Sequence, residues 1–424
     1  LSDILERAAR FLKENGLEYK DINFEKEIDR FINQMDLGLV SENGLPMVPT
    51  YIEGRLHPEQ GGKAIAVDVG GTNLRVAVSE LKGLKTEIIK MTRVPILGKD
   101  EPVSFNAFID NLVDNIEPYL EYSKTICFSF SHQIHHNHNM DGFVTDLSKE
   151  VSITGISRKP LAFSLKEAIR QRTGDDVKVI LINDTVGVAG AMLQLGDAFQ
   201  NYFGVVMGTG VNACYIEKTR NIKKIDDAAT ETMFINVESG CYVPSQISII
   251  DQEFDATTSI PNTAVLEKMV SGEYLGRLFF YMIQKACGSN LFSKEFVKDF
   301  GQHSTLGTKD LSLFFEDRTK GVYSEIDSSE EDGDLLYFFA RCLIERAAAL
   351  VSIIIIAISK KIYQPVGTSI CVIVEGATFY GLKGFREMVL KNISEHSGGM
   401  KIELHNVQDA ALVGIGNVGL AFAK

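Results

Sequence analysis

Long apolar runs, prolines, paired cysteines and positive charge are all in short supply in this chain, and each shortage excludes something. The longest apolar run, Ala347 to Ile358, falls short of the roughly 20 residues a membrane-spanning helix needs and reads as a buried helix. Only 10 of 424 residues are proline, and 45% are hydrophobic against 23% charged. That balance describes a soluble globular protein and not a disordered one. The six cysteines (Cys127, Cys214, Cys241, Cys287, Cys342 and Cys371) are scattered and form no C-x-x-C. They suit reduced thiols in a cytoplasmic protein better than a disulfide framework or a structural zinc site. No basic stripe offsets the formal net charge of −13, which argues against nucleic acid and against an anionic membrane surface. The first segment is amphipathic and charged, so no signal peptide and no membrane insertion are expected. The chain starts at Leu1 and not at Met, which leaves its natural N-terminus open.

What the chain does have is length and two glycine turns. At 424 residues it exceeds one small core, and two domains are the natural expectation. The organising stretch is AIAVDVGGTNLRV, Ala64 to Val76. An apolar, β-branched run ends at Gly70 and Gly71, and a second β-leaning run follows from Arg75. Adjacent glycines make a tight turn and remove the Cβ atoms that keep a ligand from the backbone. Asp68 sets a carboxylate beside them, and Thr72 and Asn73 add a hydroxyl and an amide. On these residues alone an ordinary hairpin and a phosphate cradle are both open. FGVVMGTGVNACYIE, Phe203 to Glu217, repeats the pattern of strand, small-residue turn and strand.

Periodicity predicts helices over 2–15 and 24–37 as packing elements. A connector over 41–63 follows, punctuated by Pro46, Pro49 and Pro58. Strands over 64–69, 75–81, 86–93, 125–131 and 177–183 alternate with helices over 105–117, 164–172 and 186–195. That alternation implies a mixed α/β sheet covered on both faces. Beyond the second hairpin, helices are expected over 261–283 and 333–362, strands over 369–375 and 401–405, and a last helix from about Asp409. In VKVILINDTVGVAG, Asn183, Asp184 and Thr185 fall at the carboxyl end of a buried strand, where α/β sheets bind ligands. A carboxylate there is a helix N-cap or a general base, and both readings stay open.

DVGGTNLR closely resembles the first phosphate motif of the hexokinase family, DLGGTNFR. Further segments resemble the family in its own order, from about Leu45 to the C-terminus. MVPTYI is similar to the segment leading into that motif, and INDTV to the family's NDTV, whose Asp receives the sugar hydroxyl proton. CFSFSHQI resembles FSFP and carries a sugar-site serine over to Ser129. GFVTDLSKEVSI stands where the family has LNWTKGF. Ser148 and Lys149 match in type, while Asp146 replaces Asn and Glu150 replaces Gly. An Asp accepts sugar hydroxyls but cannot donate as an amide does. Glu238 in INVESGCY and Glu267 in LEKMVSG resemble the Glu of NTEWGAF and of the family's EK signature. Ionised carboxylates make the stronger, charge-assisted bonds to a polyhydroxy ring. Asn183 and Asn212 complete the sugar set.

The resemblance implies an α/β, two-domain actin-like ATPase (ribonuclease H-like) fold with mixed sheets, flanking helices and a central cleft. It divides the chain into N-terminal helices and connector (1–62, packing with the large domain), a small domain (63–182), a large domain (183–408) and a C-terminal helix returning to the small domain (409–424). It implies ATP-dependent, magnesium-dependent phosphorylation of a hexose, most naturally D-glucose at the 6-hydroxyl, as the first step of glycolysis, with closure over the sugar. Asp184 is then the base, with Lys149 and Arg75 as charge partners. Asp68, Gly70, Gly71, Thr72 and Asn73 form the first nucleotide turn and Gly208, Thr209 and Gly210 the second. Gly376, Ala377 and Thr378 border the adenosine, and Asp68 holds magnesium through water. The expected partners are a hexose and ATP, with a homodimer left open.

An actin-like or chaperone-type ATPase is the alternative, but it gives no reason for Ser129, Lys149, Glu238 and Glu267. A non-catalytic sugar sensor is disfavoured by the retained Asp184. The zinc string C-x-C-G-x-x-G-C of the repressor and open-reading-frame sugar kinases is absent. Gly414, Gly416 and Gly419 spell G-x-G-x-x-G, but too few residues follow for the βαβ unit that a dinucleotide fingerprint requires. His132, His135, His136 and His138 lack helical metal-ligand spacing and read as a solvated turn at the cleft rim. Ser328 to Asp334 reads as a solvated acidic loop.

Overall fold

A computed structural model of the chain describes residues 2–18, 20, 22–83, 85–99, 101–145, 147, 151–199, 201–226, 230–362 and 368–423. The apolar runs become the middles of two sheets. In the first half, β2 (Lys63–Val69), β3 (Asn73–Lys82), β4 (Lys85–Pro95), β5 (Thr125–Phe130) and β6 (Lys178–Ile182) lie in the order β4-β3-β2-β5-β6. In the second, β7 (Asn201–Met207), β8 (Val211–Lys218), β9 (Thr232–Asn236), β10 (Ile370–Glu375) and β11 (Ile402–His405) lie in the order β9-β8-β7-β10-β11. Each half is an antiparallel three-strand meander extended by two parallel strands. This is the doubled ribonuclease H-like arrangement of the actin-like ATPase fold, with both glycine turns at the tip of the first hairpin of their half.

The predicted connector hides a strand. β1 (Val48–Glu53) pairs with the outer edge of β9, with a register shift between Pro49 and Glu53. Proline is tolerated there because an edge strand and a bulge spare its missing N–H. Two N-terminal helices, α1 (Ser2–Glu14) and α2 (Phe24–Val40), bury Phe11, Leu12, Ile28, Phe31 and Met35 in the core of the second sheet. The first sheet is covered by α3 (Phe105–Ile116) and α4 (Leu161–Thr173) through Phe108, Leu112, Leu165 and Ile169.

Between the sheets lies α5 (Asp184–Gly190), which starts two residues earlier than predicted and tightens into a 3-10 turn from Ala191 to Ala198. The predicted helix over 261–283 is two helices, α7 (Val265–Val270) and α8 (Leu275–Gly288), preceded by α6 (Ile249–Ala256). The break has a physical cause. The Gly272 and Glu273 N–H groups donate to the carbonyls of Gly208 and Thr209 at 2.8 and 3.1 Å, so the backbone there buttresses the second glycine turn.

Helix α9 (Glu330–Ile362) is long and apolar enough by composition to cross a membrane, yet 89% of its apolar window is buried inside the molecule. Its first turn absorbs the acidic string expected as a loop. Asp332 is 2% exposed and accepts hydrogen bonds from Ser293 and Ser329, as suits a carboxylate at a helix N-terminus. The C-terminal helix α10 (Ala410–Phe422) packs on α5, β2 and β3. Gly414, Gly416 and Gly419 lie within it and serve that packing. One apolar cluster, including Ala66, Cys127, Ile182, Val186, Cys214, Phe234 and Ile415, joins both halves through these two helices. None of the six cysteines is in a disulfide among the described residues.

Candidate active site

The junction of β6 and α5 decides what Asp184 is free to do. Asn183, and not Asp184, is the helix cap. Its Oδ1 accepts the Thr185 N–H at 3.0 Å while its Nδ2 donates to the His132 carbonyl at 3.2 Å. The Asp184 carboxylate is thus left to a cavity of about 330 Å³ between the two halves, where Thr185 Oγ1 donates to it at 3.2 Å. The first half also lines that cavity with Asp68, Gly70, Gly71, Thr72, Arg75 and Asn183, and the second with Thr209, Gly210, Asn212, Glu238, Glu267 and Gly376.

Other predicted positions fall elsewhere. Asn73 closes the first turn by accepting the Gly70 N–H at 3.0 Å. Thr378 Oγ1 donates to the Gly208 carbonyl at 2.9 Å, so Thr378 braces the second turn from behind, and Gly208 itself does not line the cavity. Ala377 lines an adjoining hollow of about 490 Å³ shared with Glu375, Gly376 and Asp409. Ser129 is fully buried in β5, level with Asp68, whereas Ser131, two residues on, reaches the cavity. Asp146, Ser148, Lys149 and Glu150 lie outside the described residues. The histidines are not a solvated turn throughout. His132 is 7% exposed, lines the cavity and stacks on Phe130, while half-buried His136, whose ring nitrogens are shielded from solvent, is pushed down to about 3, mainly by desolvation. Among the described residues no group of three His, Cys, Asp or Glu is arranged to hold a metal.

At one end of the cavity a relay of amides orients the acceptors. Asn212 Nδ2 donates to Asn236 Oδ1 at 2.7 Å, and Asn236 Nδ2 donates to Glu238 Oε1 at 2.6 Å. Glu238 sits at φ 55°, a left-handed conformation that costs a non-glycine residue about 1–3 kcal/mol and gathers at ligand sites. Glu267 Oε2 accepts the Val211 N–H at 3.2 Å, just beyond the second turn. Asn236, buried on β9 between β1 and β8, stands two residues before Glu238 in INVESGCY, a segment from which the resemblance carries over only Glu238.

At the other end three carboxylates, Asp68, Glu375 and Asp409, surround Arg75, and Asp184 lies within electrostatic reach of Asp68 and Glu375. Asp68 is paired with Arg75, whose Nε donates at 2.8 Å and whose other arm reaches Asp409 at 3.1 Å. Burial nevertheless holds the Asp68 carboxyl above its usual range, outweighing the guanidinium, and Asp184 and Asp409 push the same way. Glu375 accepts the Ala411 N–H at 2.5 Å, and desolvation raises it to about 7 against the opposing pull of that bond and of Arg75. The signal that marks Glu375 is positional, since it ends a parallel strand as Asn183 follows one.

This shift has a testable sign. Folding takes up a proton on Glu375 between its ordinary value of 4.5 and about 7. Its contribution to stability is therefore full below 4.5 and is lost as pH rises through 7. Glu375→Gln cannot ionise, so its thermal midpoint is expected to gain on the parent's as pH rises from about 5 to about 8. A gap that stays constant across that range overturns the assignment.

Two family models described as hexokinase match the chain, one over residues 10–192 and the other over 202–420. The chain is 26% identical to hexokinase-1 of Schizosaccharomyces pombe, over 93% of its own length and 87% of that protein's. It is 25% identical to the chloroplastic hexokinase-4 of Oryza sativa, over 93% and 85%. Among solved structures, the hexokinase of Schistosoma mansoni complexed with glucose has the same fold, with a TM-score of 0.79, 22% identity and 99% of each chain covered.

Proposed function

This chain belongs to the hexokinase family and phosphorylates a sugar, and from that premise we propose that it transfers the γ-phosphoryl group of ATP to the 6-hydroxyl of D-glucose. The observation that carries the reading is that Asp184, Glu238 and Glu267 open into the same cavity as both glycine turns. Acceptors at Glu238 and Glu267 and the amide of Asn212 suit a ring of hydroxyls, each of which would be costly to leave unpaired. Asp184 holds the attacking hydroxyl in line and takes its proton late in a loose transition state. The backbone N–H groups of the two glycine turns face the phosphates, and Lys149, by its match to the family lysine, adds charge. The hollow beside Gly376 and Ala377 takes the adenosine. Positioning dominates such a transfer and supplies roughly 7–11 kcal/mol.

Magnesium fits the donor set. Asp68 offers a hard carboxylate oxygen beside the first turn, and Mg²⁺ favours one or two carboxylates with water and substrate phosphates over an all-protein cage. When bound it neutralises phosphate charge. Closure of the two halves over the sugar excludes water, the competing acceptor. The absence of a disulfide among the described residues supports a cytoplasmic enzyme at the entry to glycolysis. In a coupled assay with Mg-ATP, ADP release is expected to depend on added glucose, mannose, fructose or glucosamine, fastest with glucose. ADP release at the same rate without any hexose would overturn this in favour of an actin-like ATPase.

A further inference from the structure

One wall of the hexose end is made by the segment between α6 and α7, through Ile260 and Ala264. Its backbone is held in a conformation it would not choose, with Asn262 at φ 62° and Ala264 at φ 46°. Asparagine accepts the left-handed region through its short polar side chain, but alanine has no such compensation. Behind the segment is a second cavity of about 170 Å³, lined by Phe254, Asn262, Val265 and Met269 among others. The wall therefore has both a reason to relax and somewhere to go.

What holds it is a clamp between a buried lysine and a half-buried aspartate. Lys268 is 3% exposed on α7 and donates to Asp255 Oδ1 at the end of α6 and to the Ile260 carbonyl, the latter at 2.7 Å. The other Asp255 oxygen accepts the Asn262 N–H at 2.7 Å. A buried lysine is rarely left where a solvated one would serve, because its desolvation is repaid only by good geometry. Here its bonds end on the segment facing the sugar, and the neighbouring residue, Glu267, faces the cavity itself.

Resting on the hexose reading above, we propose that Lys268 is a positioning residue that, with Asp255, pins the 257–264 wall in its sugar-accepting shape. Lys268 touches neither substrate nor phosphate; it acts through Ile260, Asn262 and Ala264. Its removal therefore weakens the sugar's grip while leaving the nucleotide end, built on the glycine turns, as it was.

The test is steady-state kinetics on the full chain, with hexose and ATP varied separately and circular dichroism melts alongside. The unmodified chain must first show hexose-dependent ADP release; its absence sinks the hexokinase reading and not the clamp specifically. Lys268→Met is expected to raise the glucose KM roughly 10- to 100-fold, with the ATP KM and kcat at saturating glucose changed less than about threefold. Asp255→Asn keeps the shape and serves if Lys268→Met fails to fold; a several-fold rise in glucose KM alone is expected. The double variant should be no worse than Lys268→Met, since both act through one clamp. An unchanged glucose KM in folded Asp255→Asn, a parallel loss in both KM values and kcat, or multiplicative effects in the double variant would overturn the proposal.

Discussion

Asp184→Asn is expected to lower kcat by roughly 10²–10⁴-fold while glucose still binds. The substitution keeps the size and one acceptor of the side chain but removes its capacity to take a proton. In the fold Asp184 is not needed as a cap, because Asn183 supplies the Thr185 N–H with its partner. The loss should therefore fall on turnover and not on folding. In energy it corresponds to about 3–5 kcal/mol of transition-state stabilisation. The ground-state contacts of a hexose rest mainly on Asn212, Glu238 and Glu267 in the proposed site, so its Kd by calorimetry should move less than about tenfold. A kcat loss under tenfold would remove Asp184 from the base's role, and a parallel collapse of glucose binding would make it a binding group instead.

Which of Asn183 and Asp184 caps α5 was the question the linear chain left open. Asn183 and Asp184 are both good caps, and their neighbours do not say which one turns inward. The sheets, by contrast, were legible, because buried strands such as Ala64–Val69 and Lys178–Ile182 are apolar but for one residue each, Asp68 and Lys178, and Gly70-Gly71 marks the end of the first. Legibility failed where long-range contacts overrode a local pattern. Pro49 masked an edge strand because the tolerance for proline comes from its pairing with β9. Apolar periodicity ran across Gly272, whose N–H is drawn to Gly208 by a turn more than sixty residues earlier. Asn236 stood unassigned inside INVESGCY, and Glu375 joined the site from a strand end. Ser129 and Ser131 differ only in how far β5 extends before the cavity begins. In each case the residue type was readable and its direction was not.

Gly414 shows the same rule with a large energetic consequence. G-x-G-x-x-G over residues 414–419 lies inside one helix and lets α10 lie against α5. A Cβ at position 414 would come 1.7 Å from the Gly187 carbonyl oxygen and 2.7 Å from the Ala191 nitrogen, both backbone atoms that cannot swing aside. Nor can α5 retreat, because a Cβ at Gly204 on β7 would meet Ala189 N at 2.6 Å. The helix is pressed between the second sheet and α10. Gly414→Ala is therefore expected to cost about 3 kcal/mol in overpacking, offset by the ~1 kcal/mol that alanine gains over glycine in a helix. The net of about 2 kcal/mol lowers the thermal midpoint by roughly 4–8 °C for domains of this size. Gly333 is the control, since it also lies in a helix but nothing stands within 4 Å of its added Cβ. Gly333→Ala should raise the midpoint slightly, by about 0.5–1 kcal/mol of stability. Because α5 opens with Asp184, the Gly414 variant should also lose turnover well below its melting temperature, and the Gly333 variant should not. Equal midpoints for the two variants would mean that α10 has freedom to slide, and the close packing of the two halves through these helices would have to be abandoned.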